Sequence, residues 1–279
     1  MKREHTLRRK LESLGMLGEA VNAMKSLSAH HLRTARAGLA AARAYRDGID
    51  HLIAAAGIAQ IAPKDGTPAV LLLAADLGLC NGYNARLVEA ALDERRRLGA
   101  VQFYCVGKRP LTALRRASVP VARAYPAVAS VGGLTRLLLT LADDVLGDYL
   151  SGAFSSLHLV SARFDGVGAF TARTTRVLPI VSTRAVPRLA ATPYASAEHL
   201  AEAAVREYLY SILYELLLDE LAAEHGMRLV ATQSAEEWLD TRMNDLQREL
   251  ASARRESSTQ EVLDVAGGAR QRRQQMRAA

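Results

Sequence analysis

The sequence predicts an α/β protein: a long antiparallel two-helix coiled coil formed by both chain ends, with a small, mostly parallel, Rossmann-like α/β domain inserted between them. Three observations carry this prediction. Helical periodicity with a narrow apolar stripe runs through each end, short apolar runs alternate with amphipathic segments in the middle, and proline-bearing stretches separate the two patterns.

Residues 5–57 keep three- and four-residue apolar steps through Leu7, Leu11, Leu14, Leu17, Val21, Met24, Leu27, Leu32, Ala35, Leu39, Ala42, Ile49 and Ile53. Arg8, Arg9, Lys10, Arg33, Arg36, Arg43 and Arg46 take the other faces, so the stripe is thin. Pro63 to Pro68 then stops the helix, because its prolines lack the N–H that a helix needs. Ala69–Ala75 reads as a buried strand, Asp76–Asn84 as a loop and 85–98 as a helix. Val101–Val106, a short helix over 111–117, a weaker strand over 119–125 and a helix opened by Gly132-Gly133 and running to Tyr149 follow. Ser156–Phe164 and Arg173–Ile180 complete the sheet, joined by Asp165-Gly-Val-Gly168 as an antiparallel hairpin edge. Pro187 and Pro193 close the domain.

Helical periodicity resumes at Ala197, with Gly226 expected as a bend or interruption. From Met227 the stripe is Met227, Val230, Ala231, Ala235, Trp238, Met243, Leu246, Leu250 and Ala253, between charges that cannot all be buried. Such a stripe needs a second helix to cover it. At about 1.5 Å per residue, 197–269 would form a rod on the order of 100 Å long, which is expected to project. The expected organisation is a first coiled-coil helix over 1–57, a linker over 58–68, the α/β domain over 69–187, a linker over 188–196, and the second helix with a basic tail over 197–279.

Composition narrows the function. With 279 residues, 49% of them apolar and 5% aromatic, the chain can bury a sizeable core and favours helices over an all-β fold. A net charge of +7 and a pI near 9.6 imply affinity for something acidic: nucleic acid, an anionic membrane face or an acidic protein. Cys80 and Cys105 make neither a disulfide framework nor a metal-ligand spacing, which points to a reducing cytoplasm. No apolar run approaches the ~18 residues of a membrane span, and the basic start leads into no signal-peptide core, so a soluble chain is expected.

Catalytic chemistry finds little support. The 76–84 loop sits where α/β proteins place phosphate loops, yet it lacks Gly-x-Gly-x-x-Gly, and Gly107-Lys108 has Gln102 where a phosphate loop requires its first glycine. A small phosphotransferase or dehydrogenase is disfavoured on that ground, and no cofactor is assigned. Cys80 has no clear histidine partner and reads as a packed loop cysteine. His30 and His31 stand on the first helix without carboxylates or cysteines at metal-ligand spacing, so no metal is assigned. Asp143-Asp144 read as a solvated helix face, and Arg270–Arg277 as a solvated or partner-facing basic extension without aromatics for stacking. A basic coiled-coil nucleic-acid-binding protein is the alternative from another class, marked by strong salt-dependent duplex binding.

Three strings then agree with one family. Leu7-Arg-Arg-Lys-Leu-Glu-Ser-Leu14 with Ala23-Met24-Lys25 and Leu32-Arg33 resembles the first helix of the γ subunit of F-type ATP synthases. Asp76-Leu-Gly-Leu-Cys-Asn-Gly-Tyr-Asn84 resembles that family's Asp-Arg-Gly-Leu-Cys-Gly-Gly-x-Asn loop, the most specific match. Ala253-Arg-Arg-Glu-Ser-Ser-Thr-Gln-Glu-Val-Leu-Asp-Val-Ala-Gly-Gly-Ala269 is similar to its terminal Ala-Arg-Gln-Ala-x-Ile-Thr-Gln-Glu segment. Leu77 in place of arginine, Glu256 of glutamine, Ser258 of isoleucine and Asn22 of lysine, with the basic tail, mark a divergent paralogue of the sort found in an alternative, N-type operon.

The resemblance implies a non-catalytic central-stalk rotor subunit that couples ion flow to ATP synthesis or hydrolysis. Its implied partners are the α and β subunits of the catalytic ring, the ε subunit and the membrane c-ring, at the cytoplasmic face of the bacterial inner membrane. It also implies contacts with β through Met24, Lys25, Arg255, Glu256, Thr259, Gln260 and Glu261. The coupling ion is set by other subunits.

Overall fold

A computed structural model describes residues 2–56, 66–180 and 197–278. The expected domain-closing prolines Pro187 and Pro193, and the break over Pro63 to Asp65, lie outside them. The elements are α1 (Lys2–Ala56), β1 (Ala69–Leu73), α2 (Tyr83–Leu98), β2 (Gln102–Val106), α3 (Lys108–Arg116), β3 (Val121–Tyr125), α4 (Val131–Leu150), β4 (Leu157–Gly166), β5 (Ala169–Leu178) and α5 (Ala197–Ala278). This is the mixed α/β architecture with two long terminal helices that the sequence predicts. The chain divides into two compact units, Ser26–Ala231 and Met1–Lys25 with Thr232–Ala279.

The larger unit holds the sheet, ordered β3-β2-β1-β4-β5. β1 pairs in parallel with β2 and β4, β2 with β3, and only β5 runs antiparallel, against β4. All of β1 is buried because both faces are covered. Val70 and Leu72 join Phe103, Cys105 and Val160 under α2 and α3, while Leu71 and Leu73 join Tyr104, Leu157 and Leu159 in the cluster that includes α4, α1 and α5. That two-residue alternation is the strand period, read from an unbroken apolar run.

The β4–β5 arms reach further than expected, to the Val167-Gly168 turn. Gly168 has φ +80°, and a Cβ there would lie 2.8 Å from Cγ2 of Val230. The turn therefore takes a glycine for both its backbone and its close approach to α5. Asp144 is not simply solvated: it accepts from the Tyr125 hydroxyl at 2.8 Å and pairs with Arg123 at 3.3 Å, holding α4 to the edge strand β3. Asp143 is exposed, as expected, and takes the Tyr210 hydroxyl at 3.1 Å.

Along α1 the buried or half-buried positions Leu7, Leu14, Val21, Ser28, Ala35, Ala42 and Ile49 recur every seven residues. On α5, Thr232, Leu239, Leu246 and Ala253 do the same. A seven-residue period is the signature of a two-helix seam. Leu17, Leu27 and Trp238, assigned to the stripes by their hydrophobicity, fall off this step and are 49%, 57% and 58% exposed. Leu239, one residue beyond Trp238, is the seam residue. Among the described residues no helix is long and apolar enough to cross a membrane.

Candidate functional site

In parallel sheets of this order, ligands bind beyond the carboxyl ends of the strands, at the point where strand order reverses. Here that point is the β1/β4 boundary, and protein fills it. Asp76, at the end of β1, accepts the backbone N–H of Lys108 at 2.7 Å and of Ala127 at 3.1 Å on the same oxygen. Its carboxylate thus occupies the first turn of α3, where an anion would otherwise be favoured. Asn84 closes the loop by accepting from the Ala75 N–H at 2.9 Å. Leu79, Asn81 and Gly82 bend the chain through positive φ. Cys80 is buried within this loop, and burial pushes its thiol above the ordinary cysteine value, which leaves no thiolate nucleophile near neutral pH.

Across the same carboxyl ends runs α5. The Tyr83 hydroxyl reaches Oε1 of Glu220 at 3.1 Å and the Glu220 carbonyl at 3.3 Å. Arg228 pairs with Glu224 at 2.6 Å and donates from Nε to the Gly78 carbonyl at 3.2 Å. His225 meets the Ala129 carbonyl through Nε2 at 2.9 Å, which places the proton there and leaves Nδ1 to accept from Arg228 at 3.4 Å. Burial pushes this imidazole down to about 4, so it is neutral. His31 of α1 packs against it at a tilt, with ring centroids 4.9 Å apart. Asp219 accepts the Phe164 N–H at 3.1 Å and pairs with Arg43 at 3.1 Å.

Gly226 does not interrupt the helix. A Cβ there would come within 3.1 Å of the Phe164 ring, so glycine lets α5 and β4 approach. About three turns of α5, Asp219 to Arg228, thereby grip the loops after β1 and β3 and the end of β4. Sequence reasoning missed this joint, although the acids Asp219, Glu220 and Glu224, set in the apolar run from Leu213 to Met227, and the base Arg228 directly after it are its visible signal.

The smaller unit is built differently. Leu7, Leu246, Leu250 and Ala253 form a small buried cluster with Leu11 and Leu14 against it. Arg3 meets Glu256 at 3.4 Å, Glu4 meets Arg254 at 3.1 Å and Lys25 pairs with Glu236, an antiparallel register. A groove of about 470 Å³ is lined by Thr6, Arg9, Lys10, Ser13, Leu14, Trp238, Arg242 and Leu246. Three cations and an exposed tryptophan line it, with no acid among them.

The residues expected to contact a partner separate into two groups. Met24 is half-buried and Lys25 is already engaged by Glu236. Arg255, Glu256, Thr259, Gln260 and Glu261 are exposed on α5, with Glu256 held by Arg3 and the Thr259 hydroxyl by the Arg255 carbonyl at 2.8 Å. Beyond Ala253, Val262, Leu263 and Val265 are 67%, 59% and 74% exposed.

The family model described as ATP synthase matches residues 4–271. The ATP synthase gamma chain of Nitratidesulfovibrio vulgaris strain Hildenborough is 31% identical over 216 residues, covering 73% of this chain and 72% of that one. That of Desulforamulus reducens is 27% identical over 276 residues, covering 94% and 96%. In fold, the chain is similar to a chain of the Euglena gracilis mitochondrial ATP synthase, from its OSCP/F1/c-ring structure, with TM-score 0.68 at 13% identity over 95% of this chain and 93% of that one. It is similar also to a chain of the central stalk/c-ring structure of the Tetrahymena thermophila mitochondrial enzyme, with TM-score 0.58 at 17% identity over 77% and 99%. A five-stranded sheet whose ligand crevice is filled by its own helix, a two-helix seam and these matches together identify the chain as a member of the ATP synthase gamma chain family.

Proposed function

We propose that the chain works as the rotor of the central stalk, coupling ion flow through a membrane sector to ATP synthesis or hydrolysis at the β-subunit sites. It does no bond chemistry itself. Its surface differs around its axis, so turning it changes which contacts each β subunit feels, a coupling free energy carried by differential contacts. In this reading α and β surround the helix pair and ε and the c-ring meet the α/β domain, at the cytoplasmic face of the bacterial inner membrane. Residues 58–68 and 188–196 serve as the linkers between helices and domain.

One observation supports it above the others. On α5 beyond Ala253 no described side chain is buried, although Val262, Leu263 and Val265 are apolar. An apolar helix surface of this kind is covered by a partner. Contacts with β are assigned to Met24, Lys25, Arg255, Glu256, Thr259, Gln260 and Glu261, and the cationic groove around Trp238 suits an acidic surface. Replacing Arg255 and Thr259 by alanine in the assembled enzyme tests this: ATP-driven ion pumping per ATP hydrolysed is expected to fall. Unchanged coupling removes these residues from the contact set.

A further inference from the structure

Among the described residues, the strongly buried acids are answered by cations, with one exception. Glu224 faces Arg228 at 2.6 Å, Glu94 has Arg97, Asp219 has Arg43, and Glu215 has Arg43 and Arg46. Glu220, 6% exposed, has the Tyr83 hydroxyl instead. That hydroxyl donates once, yet it has two oxygens of Glu220 in reach, at 3.1 and 3.3 Å. A protonated carboxyl satisfies the geometry in full: the acid donates to the hydroxyl, and the hydroxyl donates to the carbonyl.

The surroundings favour the neutral acid. Tyr83 packs with Cys80, Leu87, Phe170 and Ala223 in one apolar cluster. The loop contributes Asp76 and Cys80, and α2 contributes Tyr83 and Arg86, the latter spent on the Phe170 ring at 3.8 Å. From α5 come Glu224, the neutral His225, Asp219 and Arg228, and from α1 His31 and Arg43. Arg228 is the cation with the largest effect on Glu220 among the described residues, and it is already shared with Glu224 and Gly78. A negative charge at Glu220 would face Glu224 and Asp76 without a partner of its own.

We infer that Glu220 is a positioning residue held as a neutral carboxylic acid, and that losing its proton releases the 76–84 loop from α5. Burial, with Glu224 next, pushes this carboxyl from 4.5 up to about 8. The sign follows from linkage. The contact is fully stabilising below the ordinary carboxyl value and weakens as pH rises toward 8, because the opened joint gives up a proton that the closed joint keeps. Above about 8 both forms are ionised and the loss levels off.

Cys80 reports on the joint, being 5% exposed in the loop, and Cys105, 0% exposed in β2, reports on global unfolding. Maleimide labelling of each thiol in the full chain, wild type against Glu220→Gln, is measured from pH 5 to 9. The wild-type to variant ratio of Cys80 rates is expected to climb by about tenfold per pH unit up to about 8 and then flatten. Cys105 should climb in parallel, because global unfolding frees Glu220 as well, but at a far lower rate at every pH; equal rates at the two thiols would mean that the loop does not open separately, and would overturn the latch.

Tyr83→Phe, which removes the acceptor of the acid's proton, should move the plateau to lower pH. A ratio independent of pH, with an unshifted profile in Tyr83→Phe, overturns the latch. Only its consequence for rotation rests on the proposed function: in the assembled complex, coupling should weaken over the same pH range in wild type and hold in Glu220→Gln. The labelling profile without that coupling change would support the latch and count against the rotor reading.

Discussion

Two stretches of α5 show how one helix can be built to opposite ends. From Ser211 to Arg228 every residue except Tyr214 is buried, including Glu215, Asp219, Glu220, Glu224, His225 and Arg228. From Thr232 to Ala253 the buried residues are Thr232, Leu239, Leu246, Leu250 and Ala253, one narrow seam. The first stretch is finished within the chain, its polar groups matched to partners on α1, α2, β4, α5 itself and the loops beyond the sheet. The second is closed on one side only and leaves Trp238, Val262, Leu263 and Val265 exposed. The joint thus holds the helix, and the seam leaves it available.

The sharpest break of this contrast is Arg228→Met. It leaves Glu224 buried and unpaired, and should cost about 3–5 kcal/mol in denaturant unfolding of the full chain. Adding Glu224→Leu should recover much of that loss, since an apolar pair of similar volume carries no stranded charge. In the seam, Leu246→Ala should cost about 2–3 kcal/mol, the lower part of the range for a buried leucine, because the cluster around it is small and can relax. Gly226→Val should cost about 1–2 kcal/mol by pressing on the Phe164 ring, read as a fall in unfolding midpoint. Trp238→Ala should change stability by no more than about 0.5 kcal/mol while weakening association with the catalytic subunits in a pull-down with purified partners.

The same contrast explains what the sequence made legible. The thin seams were readable because three- and four-residue apolar steps survive along most of both helices, and β1 because Ala69–Leu73 is an unbroken buried run. Leu17, Leu27 and Trp238 misled, since hydrophobicity alone does not distinguish a seam position from its neighbour, and only the partner helix fixes which is covered. The partners within the joint were illegible for a different reason. Glu220 finds Tyr83, Arg228 finds Gly78 and His225 finds Ala129 across long separations in sequence, so no local pattern announces them. Gly226 looked like a helix breaker because the Phe164 ring it admits is contributed by β4.

Hydrogen exchange on the full chain, alone and assembled with the α and β subunits, tests the division of α5 most directly. Amides of residues 213–228 should be equally protected in both states, while those of 239–263 should gain protection on assembly. Equal protection of 239–263 with and without partners, or a gain confined to 213–228, would contradict it.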